Sequence, residues 1–206
     1  MGELSKADDL CDRKPGGLTM TAFNEADALL IVDVQNDFCP GGALAVPDGE
    51  QVVPVINQWI EAIAAAGGSI IASRDWHPAD HVSFASLWPV HCVQQQPGAA
   101  LHGDLRLPES AVVVSKGTEQ NQDSYSAFGA EGLAELLQQR GIQRLWVCGL
   151  ALDYCVKATA LDGVAAGYTV NLITAATRAV NLHPEDGHRA LHALKQAGVL
   201  MVEANP

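Results

Sequence analysis

The sequence predicts an α/β fold, namely a doubly wound, six-stranded and mainly parallel sheet with helices on both faces. Six short runs of aliphatic and β-branched residues alternate along the chain with segments of helical periodicity. These runs are continuously apolar, which is typical of strands that are covered on both faces. With 206 residues, of which 48% are hydrophobic, the chain has enough material for one such domain.

Each element follows from its own pattern. The predicted strands are, in chain order, ALLIVDV (28–34), SIIASR (69–74), AVVVSK (111–116), RLWVCG (144–149), YTVNLI (168–173) and VLMVE (199–203). The predicted helices are a segment with apolar residues at helical spacing from Val52 to Ile63, then 131–139, 153–166 and 185–197. Glycines mark where these helices are expected to end: Gly67, Gly141, Gly167 and Gly198.

Three stretches fall outside these elements. Residues 1–25 are polar and without periodicity, and Met20 offers a second start, so we expect a disordered leader or a misassigned start before a single domain at 26–206. The stretches 75–110 and 117–129 also lack periodicity and are too long for simple connections in a compact domain. We therefore expect them to carry functional residues.

Composition excludes several classes of protein. The chain has 24 acidic and 12 basic residues, a net charge of −12, which is the wrong sign for a partner bound through its phosphates. We therefore expect no nucleic acid. No apolar run approaches the roughly 18 residues that span a bilayer, and no secretory signal is recognisable, so we expect a cytoplasmic protein without membrane contact. The five cysteines, at irregular spacing, are then expected to be free thiols.

Reactive side chains follow four of the six predicted strands. Asp33 lies at the end of the first strand, Asp75 and His77 follow the second, Lys116 ends the third, and Cys155 follows the fourth. In open parallel sheets, ligands bind beyond the carboxyl ends of the strands. These side chains are therefore expected to share one edge of the sheet.

Cys155 is a candidate nucleophile. It is expected in the first turn of a helix beginning near Asp153, where unpaired N–H groups and the helix dipole favour a thiolate; the alternative is a small apolar residue packed at a helix start. Asp33 and Lys116 are single charges at the ends of apolar strands, and each alone could be a capping or solvent-reaching side chain. Together the three offer a base, a cation and a nucleophile.

A second group of residues suits a metal ion. Asp75 and His77 stand in a D-x-H spacing, and His91 lies in the same aperiodic stretch. One carboxylate and two imidazoles fit a divalent transition metal and leave coordination positions open, although a polar loop with scattered histidines is the alternative. His81 is expected to ligate or only to hydrogen-bond. Cys148 is expected in the core, and surface positions are expected for His183, His188 and His192.

Five segments, in order along the chain, resemble the nicotinamidases of the isochorismatase-like cysteine hydrolase family. They are IVDVQNDFCPGG (31–42), SRDWHPADHVSF (73–84), WPVHCV (88–93), SKGT (115–118) and CGLALDYCVKATALDG (148–163). The resemblance runs from about residue 27 to the end of the chain. Leu152 departs from it, since many relatives carry a polar residue there.

The resemblance implies a role for each site residue. It implies Cys155 as nucleophile, Asp33 as general base and Lys116 as the third member of a triad. It implies one divalent metal ion (Zn, Fe or Mn) per chain, with the ligands Asp75, His77 and His91 and a further side chain within 81–86 near the metal. It also implies a cis peptide between Leu150 and Ala151, an oxyanion hole formed by the N–H groups of Ala151 and Cys155, and aromatic walls from Phe38, Trp88 and Tyr125.

The implied activity is hydrolysis of nicotinamide to nicotinic acid and ammonia through a cysteine thioester, in NAD salvage, with pyrazinamide as a further substrate. In that scheme the metal binds the pyridine nitrogen and positions the ring.

Three alternatives remain open at this point. A different amidase of the same fold, such as an isochorismatase, a carbamoylsarcosine hydrolase or a ureidoacrylate hydrolase, is one, although isochorismatase-type relatives often lack these metal ligands. A metal-activated water with a structural Cys155 is the second. A non-catalytic binding protein is the third, although no catalytic position is missing. The sequence does not determine which metal is bound or whether the protein forms a homo-oligomer.

Overall fold

One six-stranded sheet organises the part of the chain that the structure describes. The computed structural model describes residues 22–85, 88–203 and 205–206. The strands are β1 (Asp27–Val32), β2 (Ser69–Asp75), β3 (Val112–Lys116), β4 (Arg144–Leu150), β5 (Thr169–Arg178) and β6 (Leu200–Val202). They lie in the order β3-β2-β1-β4-β5-β6, and all five pairings are parallel. The predicted fold class is confirmed.

Four α-helices connect the strands at the predicted places. They are α1 (Val52–Ala65), α2 (Leu133–Gln139), α3 (Lys157–Ala165) and α4 (Asp186–Gln196). A π-helical turn, Leu152–Val156, precedes α3, so the predicted helix at 153–166 begins with a wider turn than expected. The glycines predicted to end the helices all have positive φ, between 64° and 92°, a conformation that residues with a Cβ rarely adopt.

Helices cover both faces of the sheet, as predicted. Along β1, Leu29 and Ile31 pack in the core layer that contains α1. The alternate residues Leu30 and Val32 pack in the layer that contains α2, α3 and α4. Because successive strand residues point to opposite faces, β1 must be apolar throughout, which explains its continuously hydrophobic sequence.

The strand order reverses between β1 and β4, and the backbones of these two strands approach closely there. Gly149 has φ +109°, and a Cβ at this position would lie 2.0 Å from the carbonyl oxygen of Val32. Only glycine permits this contact. Parallel sheets bind ligands beyond the carboxyl ends of their strands at such a reversal, and Asp33 and Cys155 follow β1 and β4 there.

Several details could not be read from the sequence. Strand β5 continues to Arg178, past the predicted end at residue 173, with a register shift opposite Val147 and Gly149. Residues 1–21, most of the predicted leader, lie outside the described residues, whereas Phe23 packs against Trp146 with ring centroids 5.1 Å apart. The described cysteines are free thiols, as expected. None of the described helices is long and apolar enough to cross a membrane.

Candidate active site

Lys116 brings together the ends of four strands. Its Nζ lies 2.9 Å from Asp33 Oδ2 and 2.5 Å from Asp75 Oδ1. It also donates to the carbonyl oxygen of Ser124 at 3.1 Å and lies 3.6 Å from Cys155 Sγ. The four polar side chains of Asp33, Asp75, Lys116 and Cys155 are all buried. The structure thus places the predicted base, cation and nucleophile in one contact group.

The charges of this group stabilise one another. Burial alone would lower the pKa of Lys116, but the carboxylates of Asp33 and Asp75 raise it well above its usual value. Burial would raise the pKa of Asp75, but Lys116 and His77 lower it below its usual value. Lys116 is therefore an ammonium and Asp75 a carboxylate, which is how a buried ion pair persists.

The thiol of Cys155 behaves differently from the sequence-based expectation. Burial raises its pKa well above its usual value, and although Lys116 acts in the opposite direction, Asp33 and Asp75 add to the increase. These influences favour the thiol over the thiolate expected at a helix start, because desolvation and two carboxylates outweigh the effect of Lys116. The pKa of Asp33 is also raised, first by burial. Carboxylate and sulfur atoms of the two residues lie within 4.8 Å of each other.

Asp75, His77 and His91 offer three ligand atoms within 4.8 Å of one another. His77 Nδ1 donates to the carbonyl oxygen of Gly117 at 2.9 Å, and His91 Nδ1 donates to that of Pro89 at 2.8 Å. Both rings therefore keep Nε2 free for a cation, and Asp75 Oδ2 lies 3.7 Å from His77 Nε2. This donor set fits a divalent transition metal.

Protonation of the two imidazoles agrees with such a site. Burial lowers the pKa of His91, which favours the neutral ring that binds metals. Burial also lowers the pKa of His77, but the neighbouring Asp75 carboxylate raises it and the net shift is upward. A bound cation would replace the proton that Asp75 otherwise draws to His77.

His81 lies beside these ligands without an available ring nitrogen. Its Nδ1 pairs with Ser83 Oγ at 2.8 Å and its Nε2 with the carbonyl oxygen of Gln122 at 3.1 Å. The ring stacks on His77 with centroids 4.1 Å apart. Of the two roles left open by the sequence, the structure shows hydrogen bonding. His183, His188 and His192 are exposed and Cys148 is in the core, as expected.

The backbone before Cys155 has the predicted unusual geometry. The peptide between Leu150 and Ala151 is cis. Ala151 is extended and begins the π-helical turn, and its carbonyl oxygen accepts hydrogen bonds from the N–H groups of Tyr154 and Val156. Ala151 thus stands at the start of the turn that contains Cys155, and the two N–H groups expected to form an oxyanion hole belong to this one segment.

Aromatic side chains enclose a cavity in front of Cys155. Phe38, Trp88 and Tyr125, the three predicted wall residues, all line it together with Cys155. The Trp88 indole N–H donates to the Tyr125 hydroxyl at 3.0 Å. The metal-ligand candidates line the same cavity, so one small molecule can reach both the thiol and a metal ion.

A family model for the isochorismatase domain matches residues 27–205. The chain belongs to the isochorismatase family. Among curated relatives, it is 44% identical to the nicotinamidase of Escherichia coli (strain K12) over 84% of this chain and 93% of that protein. It is 37% identical to the nicotinamidase/pyrazinamidase of Mycobacterium tuberculosis, over 85% of this chain and 97% of that protein.

Solved structures of isochorismatase-family enzymes superpose closely on the model. The pyrazinamidase of Pyrococcus horikoshii in complex with zinc is 44% identical, with a TM-score of 0.83, and the match covers 87% of this chain and 99% of that one. The L. infantum PnC1 structure in complex with nicotinate is 38% identical, with a TM-score of 0.81, over 88% and 95% of the two chains.

Sequence reasoning missed several residues of this isochorismatase-family site. Ser73 Oγ donates to Asp33 Oδ1 at 2.7 Å. The amide of Gln35 donates to the carbonyl oxygen of Asp75 and accepts from its N–H, both at 2.8 Å. Leu44, Val46, Tyr154 and Val180 also line the cavity. Tyr154 could have been found, because it directly precedes Cys155.

Proposed function

We propose that this chain is a nicotinamidase, which hydrolyses nicotinamide to nicotinic acid and ammonia. The observation that carries the proposal is the shared cavity, where a buried thiol with its carboxylate base faces the Asp75, His77 and His91 donor set. Support also comes from curated relatives named as nicotinamidases and from structural neighbours bound to nicotinate or to the inhibitor nicotinaldehyde.

The reaction begins with the protonated thiol. The Asp33 carboxylate takes the proton of Cys155 as Sγ bonds to the carboxamide carbon, and the carbonyl electron pair moves to oxygen. The N–H groups of Ala151 and Cys155 stabilise that oxyanion. When it collapses, the C–N bond breaks, Asp33 returns the proton to the departing nitrogen, and ammonia leaves a thioester behind.

Water completes the cycle. Asp33, again a carboxylate, takes a proton from a water molecule whose oxygen attacks the thioester carbon. The C–S bond then breaks, the sulfur regains its proton from Asp33, and nicotinic acid is released. Lys116 Nζ lies 2.9 Å from Asp33 Oδ2 and forms an ion pair with the carboxylate, which fixes the orientation of the base before each proton transfer.

Asp75, His77 and His91 would hold one divalent metal ion, with Zn, Fe and Mn compatible with the donors. When bound, the ion supplies a Lewis acid that coordinates the pyridine nitrogen. Phe38, Trp88 and Tyr125 line the cavity and would contact the faces and edges of the ring. Pyrazinamide, with a ring nitrogen at the same position relative to the carboxamide, fits this arrangement as a second substrate.

The remaining parts of the proposal concern context. We place the reaction in NAD salvage in the cytoplasm. The partner is the small-molecule substrate, without nucleic acid or membrane, and the chain can form a homo-oligomer. The decisive experiment measures ammonia release from nicotinamide by the purified protein, with metal analysis of the same sample. Turnover of nicotinamide with about one metal ion per chain is expected, and a metal-loaded protein without turnover would contradict the proposal.

A further inference from the structure

Tyr154 lines both the active-site cavity and a second cavity at the protein surface. The second cavity lies between the π-helical turn and α4, with Lys157, His183 and Arg189 among its lining residues. Within the described residues, Tyr154 is the one residue that lines both cavities. Tyr154 therefore stands where the two cavities come closest in their lining.

Aromatic contacts hold the Tyr154 ring in this position. It packs edge-to-face on Trp88, with centroids 5.0 Å apart and an interplanar angle of 82°. It also packs at a tilt of 47° on Tyr125, with centroids 5.7 Å apart. Because Trp88 and Tyr125 are themselves joined by a hydrogen bond, the three rings form one wall.

We propose that Tyr154 determines substrate size by closing the active-site cavity against the second one. The proposal rests on the proposed nicotinamidase function and names the substrate class of the same site. In the native protein, the wall admits a pyridine-type carboxamide without further ring substituents. Without the Tyr154 ring the two cavities join, and a carboxamide with an added ring substituent gains room that is already present next to the site.

The expected change in substrate specificity follows from how strongly a close-packed wall rejects a larger substrate. A close-packed apolar wall rejects an extra methyl or methylene group by roughly 10- to 200-fold in kcat/KM. Removal of a whole phenol ring leaves space for several such groups, although part of it refills by relaxation of Trp88 and Tyr125. An increase on the order of tenfold in relative specificity for a substituted substrate is therefore expected.

The test compares nicotinamide with the four nicotinamides that carry one methyl group on a different ring carbon. The quantity measured is kcat/KM for each methylated amide divided by that for nicotinamide, at matched metal loading. In Tyr154→Ala and Tyr154→Leu, the ratio should rise at least about tenfold for one or more of the four. Tyr154→Phe keeps the ring and should keep the wild-type ratios.

Tyr168→Ala is the matched control, because Tyr168 packs on Phe128 away from the cavity. Its ratios should equal those of the wild type. If both Tyr154→Ala and Tyr154→Leu fold, bind metal and hydrolyse nicotinamide but keep all four wild-type ratios, Tyr154 does not close the active-site cavity against the second one. A wild-type protein that does not hydrolyse nicotinamide would instead overturn the proposed function together with this inference, so the two failures are distinguishable.

Discussion

Ser73 holds one carboxylate oxygen of Asp33 while Lys116 holds the other. Ser73 Oγ donates to Asp33 Oδ1 at 2.7 Å, and Lys116 Nζ lies 2.9 Å from Asp33 Oδ2. Ser73 and Asp33 are both completely buried; Ser73 lies in β2, and Asp33 directly follows β1, the neighbouring parallel strand. The general base of the proposed mechanism is thus fixed from two sides by residues that do not contact the reacting carbon.

Removal of the Ser73 hydroxyl should slow the chemical step. A hydrogen bond to a charged group contributes about 1.5–3 kcal/mol, so Ser73→Ala is expected to lower kcat by about tenfold or more, because the Asp33 carboxylate becomes less well oriented. KM should change little, since Ser73 does not line the cavity. Steady-state kinetics with nicotinamide would show this split.

Ser73→Thr retains a hydroxyl and should restore most of the lost kcat. Equal kcat values for Ser73→Ala and the wild type, at equal metal content, would mean that Lys116 alone orients Asp33.

Cys155→Ala should abolish turnover while fold and metal content remain. Loss of a covalent nucleophile is expected to lower kcat by roughly a thousandfold or more. Ammonia release, thermal denaturation and metal analysis on one preparation measure the three properties. Cys148→Ala is the matched control, because Cys148 is a buried thiol within β4 and is expected to retain activity.

Substantial hydrolysis by Cys155→Ala with its metal retained would favour a metal-activated water over the thioester. A metal-activated water is one of the three alternatives that the sequence alone leaves open.

The parts of the site that sequence could predict are those that break a pattern. Asp33 and Lys116 are single charges in apolar strands, and Cys155 follows a strand at the edge where parallel sheets bind ligands. Ser73 breaks no pattern, because a small polar residue is common in a strand. Its role depends on the register that places β2 beside β1, which brings together residues 40 positions apart.

The desolvation of the Cys155 thiol could not be predicted from the sequence either. The helix dipole at Cys155 can be inferred from a predicted helix start, but its opposition by burial and two carboxylates requires the folded structure. The same holds for His81, whose two ring nitrogens are paired by Ser83 and by Gln122, a residue of the other aperiodic stretch. Long-range contacts decide both cases.

Gly117→Ala should weaken metal binding without removing a ligand. Gly117 has φ +60°, and an added Cβ would lie 2.4 Å from His77 Cε1. The His77 ring must then move, and the hydrogen bond from its Nδ1 to the Gly117 carbonyl oxygen is disturbed. Loss of such support for a ligand typically lowers metal affinity about 10- to 100-fold. Titration with zinc in competition with a chelator measures it.

Gly141→Ala provides the control for backbone strain. Gly141 has a similar φ of +64°, but nothing lies within 4 Å of its added Cβ. This variant should lose stability but keep the wild-type metal affinity. His77→Ala gives the value expected for loss of a ligand. Wild-type affinity in both Gly117→Ala and His77→Ala would show that the metal is not held here.

Acid should remove one stabilising contribution at the start of α4. Asp186 accepts a hydrogen bond from the His183 N–H at 2.8 Å and forms an ion pair with Arg189. These two contacts lower the pKa of the Asp186 carboxyl below its usual value. A lowered folded-state pKa stabilises the protein above the unfolded-state value, and the effect is lost as pH falls through the folded-state value. Asp186→Asn should therefore have a lower Tm than the wild type at pH 7.

That difference in Tm should shrink as the pH is lowered below about 4, because the wild-type carboxyl then becomes neutral as well. Calorimetry at several pH values measures it. Asp162→Asn removes an exposed carboxylate from α3 and serves as the control for the loss of one surface charge at pH 7. A gap for Asp186→Asn that stays constant down to pH 3 would exclude the charge as its cause.

Discrimination against benzamide tests whether a bound metal ion recognises the ring nitrogen of the substrate. Nicotinamide and pyrazinamide each carry a ring nitrogen meta to the carboxamide, whereas benzamide has nearly the same shape and the same scissile bond without it. Walls made only by Phe38, Trp88 and Tyr125 could not reject benzamide strongly. Loss of a metal–nitrogen bond costs on the order of 3 kcal/mol, or roughly a hundredfold in kcat/KM.

Measured at matched metal loading, nicotinamide and pyrazinamide should both be hydrolysed, and kcat/KM for benzamide should be lower by that factor. A benzamide value within about threefold of that for nicotinamide, a difference of less than about 1 kcal/mol, would mean that Asp75, His77 and His91 do not position the ring through a metal.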